Sequence, residues 1–144
     1  MSNFLLVDSI GTILGVAQCD DISQCTAPTG GNVIDVGGTN VDPDVSYWNY
    51  SGNVVANLFL FTANSSWNTT TIQSGTGGNT ATFGNALPNP TYVSIAGSGD
   101  SGALPQTGNT TTGSVGITAQ TPGLYTITLT ANLYVTYTEV ITAL

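Results

Sequence analysis

The chain of 144 residues contains no lysine, arginine or histidine, so its eight Asp and Glu residues give it a formal charge of −8. Without side-chain cations it has no groups to neutralise phosphates, which excludes nucleic acids and anionic lipids as partners. The same absence excludes Ser-His-Asp triads, Schiff-base lysines and imidazole metal ligands. We therefore expect a protein that is not an enzyme and needs no cofactor, held together by apolar burial and neutral hydrogen bonds.

Long apolar runs and charged residues are also scarce. No stretch approaches the roughly 20 apolar residues that span a bilayer as a helix, so no membrane insertion is predicted. The N-terminus contains an apolar run that Asp8 interrupts, and it lacks the basic segment of a secretory leader. Apolar residues make up 40% of the chain and charged residues 6%, a balance that argues against disorder and for a folded domain.

What the chain does contain is typical of β structure. Thr, Val, Asn and 18 glycines predominate, and short apolar runs alternate with turn-forming residues. The predicted strands are 4–7, 12–17, 33–36, 53–62, 69–72, 80–83, 91–95, 114–119 and a long segment from 124 onward. This pattern predicts an all-β protein, a β-sandwich or jelly roll.

The long C-terminal segment alternates apolar and polar residues, as a half-buried strand does. A strand of about 20 residues would reach ~65 Å, longer than one small domain. Either it bends near Ala131 and Asn132 into two strands, or it is an extended terminal strand that pairs with a neighbouring subunit. Its inward-facing apolar residues form a candidate acceptor sheet. They are Tyr125, Ile127, Leu129, Leu133, Val135 and Tyr137.

The N-terminal residues 1–31 form a candidate donor segment, a strand followed by a connector, and residues 32–144 form the predicted β-sandwich body. A detachable apolar strand is what β-strand addition between subunits requires. The predicted donor residues are Phe4, Leu6, Ile10, Leu14 and Val16. The alternative is an ordinary first strand of the same domain. Because monomers often protect sheet edges with lysine, which this chain lacks, we expect its edges to be paired or closed.

Cys19 and Cys25 enclose five residues. A disulfide within the chain, a disulfide to a second subunit and two free thiols all remain open. Zinc needs about four good ligands, which this chain does not supply. Ca²⁺ is considered at Asp20-Asp21 and Asp42-Pro43-Asp44, with solvated turn residues as the alternative.

Four sequons and a group of aromatic residues suggest contact with sugars. The sequons, at Asn49, Asn64, Asn68 and Asn109, and the threonine clusters 69–71 and 110–112, are candidate sites for covalent glycans; the alternative is an unmodified polar rim. The aromatic residues form either a sugar-stacking platform or part of the core, and segment 53–62 has the pattern of a strand buried on both faces. They are Tyr47, Trp48, Tyr50, Phe59, Phe61 and Trp67.

The stretch Pro122-Gly123-Leu124-Tyr125 resembles the Pro-Gly-x-Tyr entry into a strand of jelly-roll domains of the complement-C1q/TNF-like kind. With its strand-like termini, the chain also resembles subunits of bacterial surface fibres, including spore-appendage fibres. That resemblance implies a jelly roll linked to its neighbours through an N-terminal connector. It also implies cysteine bridges between subunits, a role that Cys19 and Cys25 could mirror.

These observations predict a structural subunit of an extracellular filament, similar to a pilus or cell-surface fibre, in which copies of the chain join head to tail by β-strand addition. Its partners would be other copies of itself and covalent glycans. One alternative is a jelly-roll capsid, decoration or tail protein of a virion. A second is a carbohydrate-binding module. A glycosidase would need only two carboxylates, but no spacing identifies such a pair.

Overall fold

The computed structural model describes residues 1–84, 86–98, 106–110 and 113–144. Thr111 and Thr112 of the second predicted threonine cluster lie outside this range. Nearly all regular structure is β, which confirms the all-β prediction; two short 3-10 helices occupy Ile22–Gln24 and Phe61–Ala63. The strands are β1 (Ser2–Val7), β2 (Ile13–Cys19), β3 (Asn32–Asp35), β4 (Ser46–Asn49), β5 (Val54–Asn57), β6 (Thr71–Ile72), β7 (Ala81–Gly84), β8 (Thr91–Ser98), β9 (Gln106–Thr110), β10 (Ser114–Ile117), β11 (Gly123–Thr130) and β12 (Tyr137–Ala143).

The chain divides into two compact units, Met1–Phe59 and Leu60–Leu144. This division differs from the predicted boundary between residues 31 and 32. The reason is strand pairing: β3 follows that boundary and pairs antiparallel with β1, from Phe4 opposite Asp35 to Val7 opposite Asn32. Residues 32–59 therefore belong with the N-terminal strands.

The N-terminal unit contains a three-stranded antiparallel sheet in the order β2-β1-β3 and a hairpin of β4 and β5. Leu5, Val7 and Ile13 are buried at its centre. Partly buried side chains from β3, β4 and β5 surround them, among them Ile34, Trp48 and Val55.

The prediction that residues 53–62 form a strand buried on both faces is wrong. Only Val54–Asn57 is a strand, and the side chains of Val54, Phe59 and Leu60 are about half-exposed. Asn53 has a positive φ of 51°, which places it in the turn between β4 and β5. The apolar residues after Asn57 lead into a 3-10 helix instead of extending the strand.

The C-terminal unit contains a five-stranded sheet in the order β6-β12-β11-β8-β9 and a two-stranded sheet of β10 and β7. The strands of the larger sheet are antiparallel, except that β6 runs parallel to β12. Apolar side chains from both sheets form one core. Its buried members are Phe61, Ile72, Ala81, Phe83, Leu87, Val115, Ile117, Ala119, Tyr125, Ile127, Leu129, Ile141 and Ala143.

The long alternating segment forms two strands, β11 and β12, which pair antiparallel with each other. The chain turns after Thr130, and Leu133 adopts a left-handed φ of 63° in that turn. This is the first of the two predicted alternatives, a bend near Ala131 and Asn132. Alternation continues in both strands because each has one face on the core.

Candidate functional site

The predicted donor residues lie on two different strands. Phe4 and Leu6 are on β1, the central strand of its sheet, which pairs with β2 on one side and β3 on the other. Leu14 and Val16 lie on β2, and Ile10 lies in the turn between the strands. β1 therefore already has two partners in its own chain, whereas β2 is at the edge of the sheet.

The edge of β2 combines open backbone groups with exposed apolar side chains. A single bridge joins Thr12 to Tyr47; beyond it, the outer side of β2 has no strand partner within the described residues. Leu14 is 60% exposed and Val16 is 43% exposed. Val16 lies opposite the buried Leu5, so its side chain is on the face of the sheet that carries the core. An added strand could cover it.

The turn before β2 is fixed by hydrogen bonds to Asp8. Its carboxylate accepts from the backbone N–H groups of Ile10, at 3.0 Å, and Thr12, at 2.8 Å. The Tyr50 hydroxyl donates to the Asp8 carbonyl at 2.8 Å. Because Asp side chains readily bond backbone two residues on, this residue type suits the tight turn. The start of the β2 edge is therefore held in place.

A bulge follows this turn. The register along β1 and β2 shifts between Leu6, which lies opposite Gly15, and Val7, which lies opposite Ile13. Leu14 is thus the extra residue of β2. A bulge leaves its extra residue unpaired and re-aims its side chain, which accounts for the high exposure of Leu14.

The predicted acceptor residues are covered by their own chain. β11 pairs with β12 on one side and β8 on the other, and Tyr125, Ile127 and Leu129 are buried in the core. The Tyr125 hydroxyl donates to the Thr121 carbonyl at 2.8 Å, which ties the start of the strand to the preceding loop. Of the other predicted acceptors, Leu133 and Val135 lie in the connection to β12, and Tyr137 begins β12.

Two other sheet edges carry protective features. β12 pairs with β6 only at Thr142 and Ala143, and Glu139 lies in its remaining part, opposite the buried Ile127. The Glu139 carboxylate therefore sits on the core-facing side, where it accepts from the Tyr137 hydroxyl at 3.2 Å. An inward-pointing charge is a known means of keeping an edge from pairing.

The outer edge of β7 is covered by an isolated bridge from Trp67 to Phe83 and, next to it, by Asn68. Its backbone N–H donates to the Thr82 carbonyl at 3.0 Å, and its side-chain oxygen accepts from the Thr82 N–H at 2.7 Å. Its side-chain nitrogen donates to the Thr80 carbonyl at 3.4 Å. Asn68 thus occupies backbone groups that another strand would use. Sequence analysis considered Asn68 only as a sequon and did not predict this role.

Cys19 and Cys25 lie side by side, with their Sγ atoms 3.2 Å apart. The hydrogen bond to Cys19 and, to a smaller extent, burial raise the pKa of the Cys25 thiol. Between them, Asp21 caps the first 3-10 helix by accepting from the Ser23 N–H at 2.8 Å. This bond lowers the pKa of the Asp21 carboxyl.

The carboxylates considered for Ca²⁺ serve the backbone. Asp21 forms the cap described above, and Asp42 accepts from the N–H of Asp44 at 2.9 Å. Within the described residues, no group of three or more Asp, Glu, Cys or His side chains is close enough to hold a metal ion. Asp20 and Asp21 directly follow β2, so they place negative charge next to the end of this edge.

The four sequons differ in how far their side chains are engaged. The Asn49 carboxamide accepts from the N–H groups of Ser51 and Gly52 at 3.0 and 3.2 Å, and Asn68 forms the clamp on β7. Asn64 is exposed beside the second 3-10 helix, and Asn109 is exposed on β9. A glycan is most easily accommodated at the last two.

The proposed aromatic platform is split between the two units. Trp48 packs against the N-terminal core, and Trp67 packs against the C-terminal core with its ring centroid 5.2 Å from that of Phe83. Phe61 is buried, and only Phe59 is half-exposed among these six residues. These aromatic residues chiefly fill cores, which was the alternative considered from the sequence.

Comparisons of the chain with protein-family models, with curated proteins and with solved structures find no match. In the part of the chain that the structure describes, no helix has the length and apolar character of a membrane span. The functional interpretation therefore depends on the geometry of the chain itself, above all on the β2 edge.

Proposed function

We propose that this chain is a non-enzymatic structural subunit of an extracellular filament, and that copies join by β-strand addition at the β2 edge. The observation that carries this proposal is the contrast between sheet edges. β2 presents open backbone groups beside the exposed apolar side chains of Leu14 and Val16, whereas β12 and β7 carry the protective features of Glu139 and Asn68. An unprotected apolar edge strand favours pairing with another chain.

The sheet also offers a geometry that propagates. β2 and β3 are the two outer strands of the sheet, and both run antiparallel to β1, so they are parallel to each other. If β3 of one copy lies beside β2 of the next, the sheet continues through the contact. Such a heterologous contact builds a filament, whereas pairing β2 with β2 would close a dimer.

Strand addition between copies is thus proposed at the edge strand β2, and not at the central strands β1 and β11. The part of the predicted donor segment that forms β1 would have to leave two intrachain partners, and the predicted acceptor strand β11 would have to lose one. Pairing at β2 requires neither step, so the backbone bonds and the burial of Val16 are gained without a loss within the subunit. We further propose that the two sheets of the C-terminal unit form a small β-sandwich, since their apolar faces share one core.

The test is assembly of the purified chain, followed by sedimentation and negative-stain microscopy. We expect fibres from the wild-type chain and none from Val16→Glu or Leu14→Glu, because each adds an anion at the edge of a chain that has no basic side chain to pair with it. Leu124→Glu is the matched control: Leu124 is 47% exposed but lies on the central strand β11, and its variant should form fibres.

Circular dichroism must show that each variant is folded. Fibres from a folded Val16→Glu chain would overturn the β2 contact. If the wild-type chain stays monomeric at high concentration, or forms only a closed dimer, the proposal of a filament is wrong. Closed shells would instead support the virion alternative.

A further inference from the structure

A shallow groove crosses the outward face of the five-stranded sheet, where β11, β8 and β9 run side by side. Its volume is about 540 Å³. The strand register builds it from two rows of side chains. In the first row, Tyr92 lies between Thr130 on one side and Asn109 on the other; in the next, Ser94 lies beside Thr128. β8 and β11 each pair with a strand on both sides, and β9 pairs with β8, so the strand register sets the spacing of the rows.

The alternation of β8 accounts for this surface. Val93 and Ile95 face the core of the unit, so Tyr92 and Ser94 must face outward. Tyr92 is 50% exposed. An aromatic ring on a sheet surface, flanked by smaller side chains, offers apolar area to a flat ligand without closing around it.

The groove has a mostly apolar surface that carries several polar groups and no charged side chain. Hydroxyl groups come from Ser94, Thr128 and Thr130, and a carboxamide comes from Asn109. Among the hydrogen bonds of the described residues, none uses the side chains of Ser94, Asn109 or Thr130, and Thr128 has only a 3.4 Å contact with Thr138. Donors and acceptors are therefore available to a ligand, in addition to the ring.

The charge of the whole chain narrows the class of ligand. With eight acidic residues and no basic side chain, the protein repels phosphorylated, sulfated and uronic-acid polymers. A neutral sugar matches what remains: the C–H face of a pyranose can lie on the Tyr92 ring while its hydroxyls bond to the neighbouring side chains. An open groove suits internal units of an extended chain better than a chain end.

We infer that this groove is a binding site for an extended neutral polysaccharide. The site lies on a different sheet from the β2 edge and is independent of assembly. It also differs from the aromatic platform expected from the sequence, whose tryptophans lie in the cores. In the assembled state, repeated copies would present the site many times, and multivalency would strengthen weak single-site binding.

The test is affinity electrophoresis of the full chain, made in a host that does not modify Asn109, through gels that contain one soluble neutral polysaccharide. The probes are mixed-linkage β-glucan, glucomannan and xyloglucan. We expect at least one to slow the wild-type chain. Tyr92→Ala should weaken that binding about tenfold, and Tyr92→Phe should retain it because the ring remains.

Phe59→Ala is the matched control, since Phe59 is also 50% exposed but lies in the N-terminal unit. It should migrate like the wild-type chain. If none of the three polysaccharides slows the wild-type chain, or if a folded Tyr92→Ala chain is slowed equally, the inference is wrong. Ser94→Ala is a second test. We expect it to weaken polysaccharide binding, and unchanged binding would count against the site. Fibre formation by Tyr92→Ala, measured separately, shows whether assembly is intact.

Discussion

At the scale of single residues, Gly11 carries the strictest local constraint in the N-terminal unit. Its φ of 98° lies in the region that residues with a side chain rarely adopt. Its carbonyl accepts from the Trp48 N–H at 2.8 Å, and an added Cβ would fall on the Trp48 carbonyl oxygen. Glycine is therefore required at position 11 for two reasons: the turn before β2 needs a positive φ, and β4 lies too close to Gly11 to leave room for a side chain.

We expect Gly11→Ala to lower the free energy of unfolding by about 2 kcal/mol or more, from the strained φ and the backbone clash together. Urea denaturation followed by circular dichroism measures this loss. Gly38→Ala is the control, because Gly38 has no positive φ and open space around it; it should change stability by less than about 1 kcal/mol. If both variants lose the same free energy of unfolding, the turn before β2 does not require glycine at position 11.

The two thiols give a second prediction at this scale. We expect oxidised glutathione to join Cys19 and Cys25 within one chain, since their sulfur atoms are already in contact. Each disulfide formed reduces one glutathione disulfide to two glutathione thiols, which take up the two protons that the cysteine thiols lose. Because the pKa of Cys25 is raised, the thiolate that must attack is scarce near neutral pH, and oxidation should accelerate as the pH rises towards that pKa.

Mass spectrometry and non-reducing gels distinguish the outcomes. An intrachain bridge leaves a monomer two hydrogens lighter, and closing so small a loop should stabilise the chain by about 2 kcal/mol. Cys25→Ser removes the partner and should give mixed disulfides or linked dimers. If the wild-type chain mainly forms linked dimers, the contact between the thiols does not control the pairing.

At the scale of elements, the edges of the sheets, more than their centres, determine which strands can pair with another chain. Asn68 is the clearest case, because its backbone and its side chain together bond to backbone groups of β7 that another strand would use. Asn68→Ala should lower the free energy of unfolding by about 1–2 kcal/mol, because the backbone groups of Thr80 and Thr82 lose their hydrogen bonds to the Asn68 side chain. It should also accelerate hydrogen exchange at the Thr82 amide, whose acceptor is lost.

The matched control is Asn64→Ala, four residues earlier and exposed. Its stability and the exchange rate at Thr82 should both stay close to the wild type. Exchange measured by NMR at residue resolution separates this local effect from general destabilisation. An unchanged rate at Thr82 in Asn68→Ala would mean that the clamp does not protect this edge.

At the scale of the whole molecule, charge opposes association. Six of the eight acidic residues precede residue 45, in the unit that carries the β2 edge, and no basic side chain offsets them. Copies that pair at this edge must bring these charges together. Salt screens such repulsion, with a Debye length of about 30 Å at 0.01 M and about 10 Å at 0.1 M.

We therefore expect fibres to form faster as sodium chloride rises from about 10 to 100 mM, measured by light scattering. Lowering the pH towards the isoelectric point near 4.1 should act in the same direction, because carboxylates lose their charge. A rate that falls with salt would contradict this account.

Much of the strand content was predictable from local pattern. The alternation around Tyr125, Ile127 and Leu129 predicted a half-buried strand because one face of a sheet strand must meet a core. The prediction for segment 53–62 was wrong for a related reason. Its apolar residues resemble a buried strand, but Asn53 lies in the turn before β5 and the strand ends at Asn57. Local composition could not show where those residues would pack.

The candidate sites were less predictable. Leu14 and Val16 were predicted as contacts between subunits from their apolar character, but the sequence could not show that β1 lies between two strands while β2 lies at an edge. Glu139 and Tyr92 were likewise undistinguished in the sequence. Their roles depend on which strands lie beside them, and that pairing joins residues far apart in the chain.

The sequence by itself determined the chemistry that this protein lacks and the β character of its backbone, because both follow from which side chains are present and how they alternate. Tertiary structure alone decided which strands are central and which form edges. It also placed Tyr92, Asn109 and Thr130 in one row. The physical reason is that the strand pattern fixes only which face of a strand is apolar, whereas long-range packing and hydrogen bonding choose its neighbours.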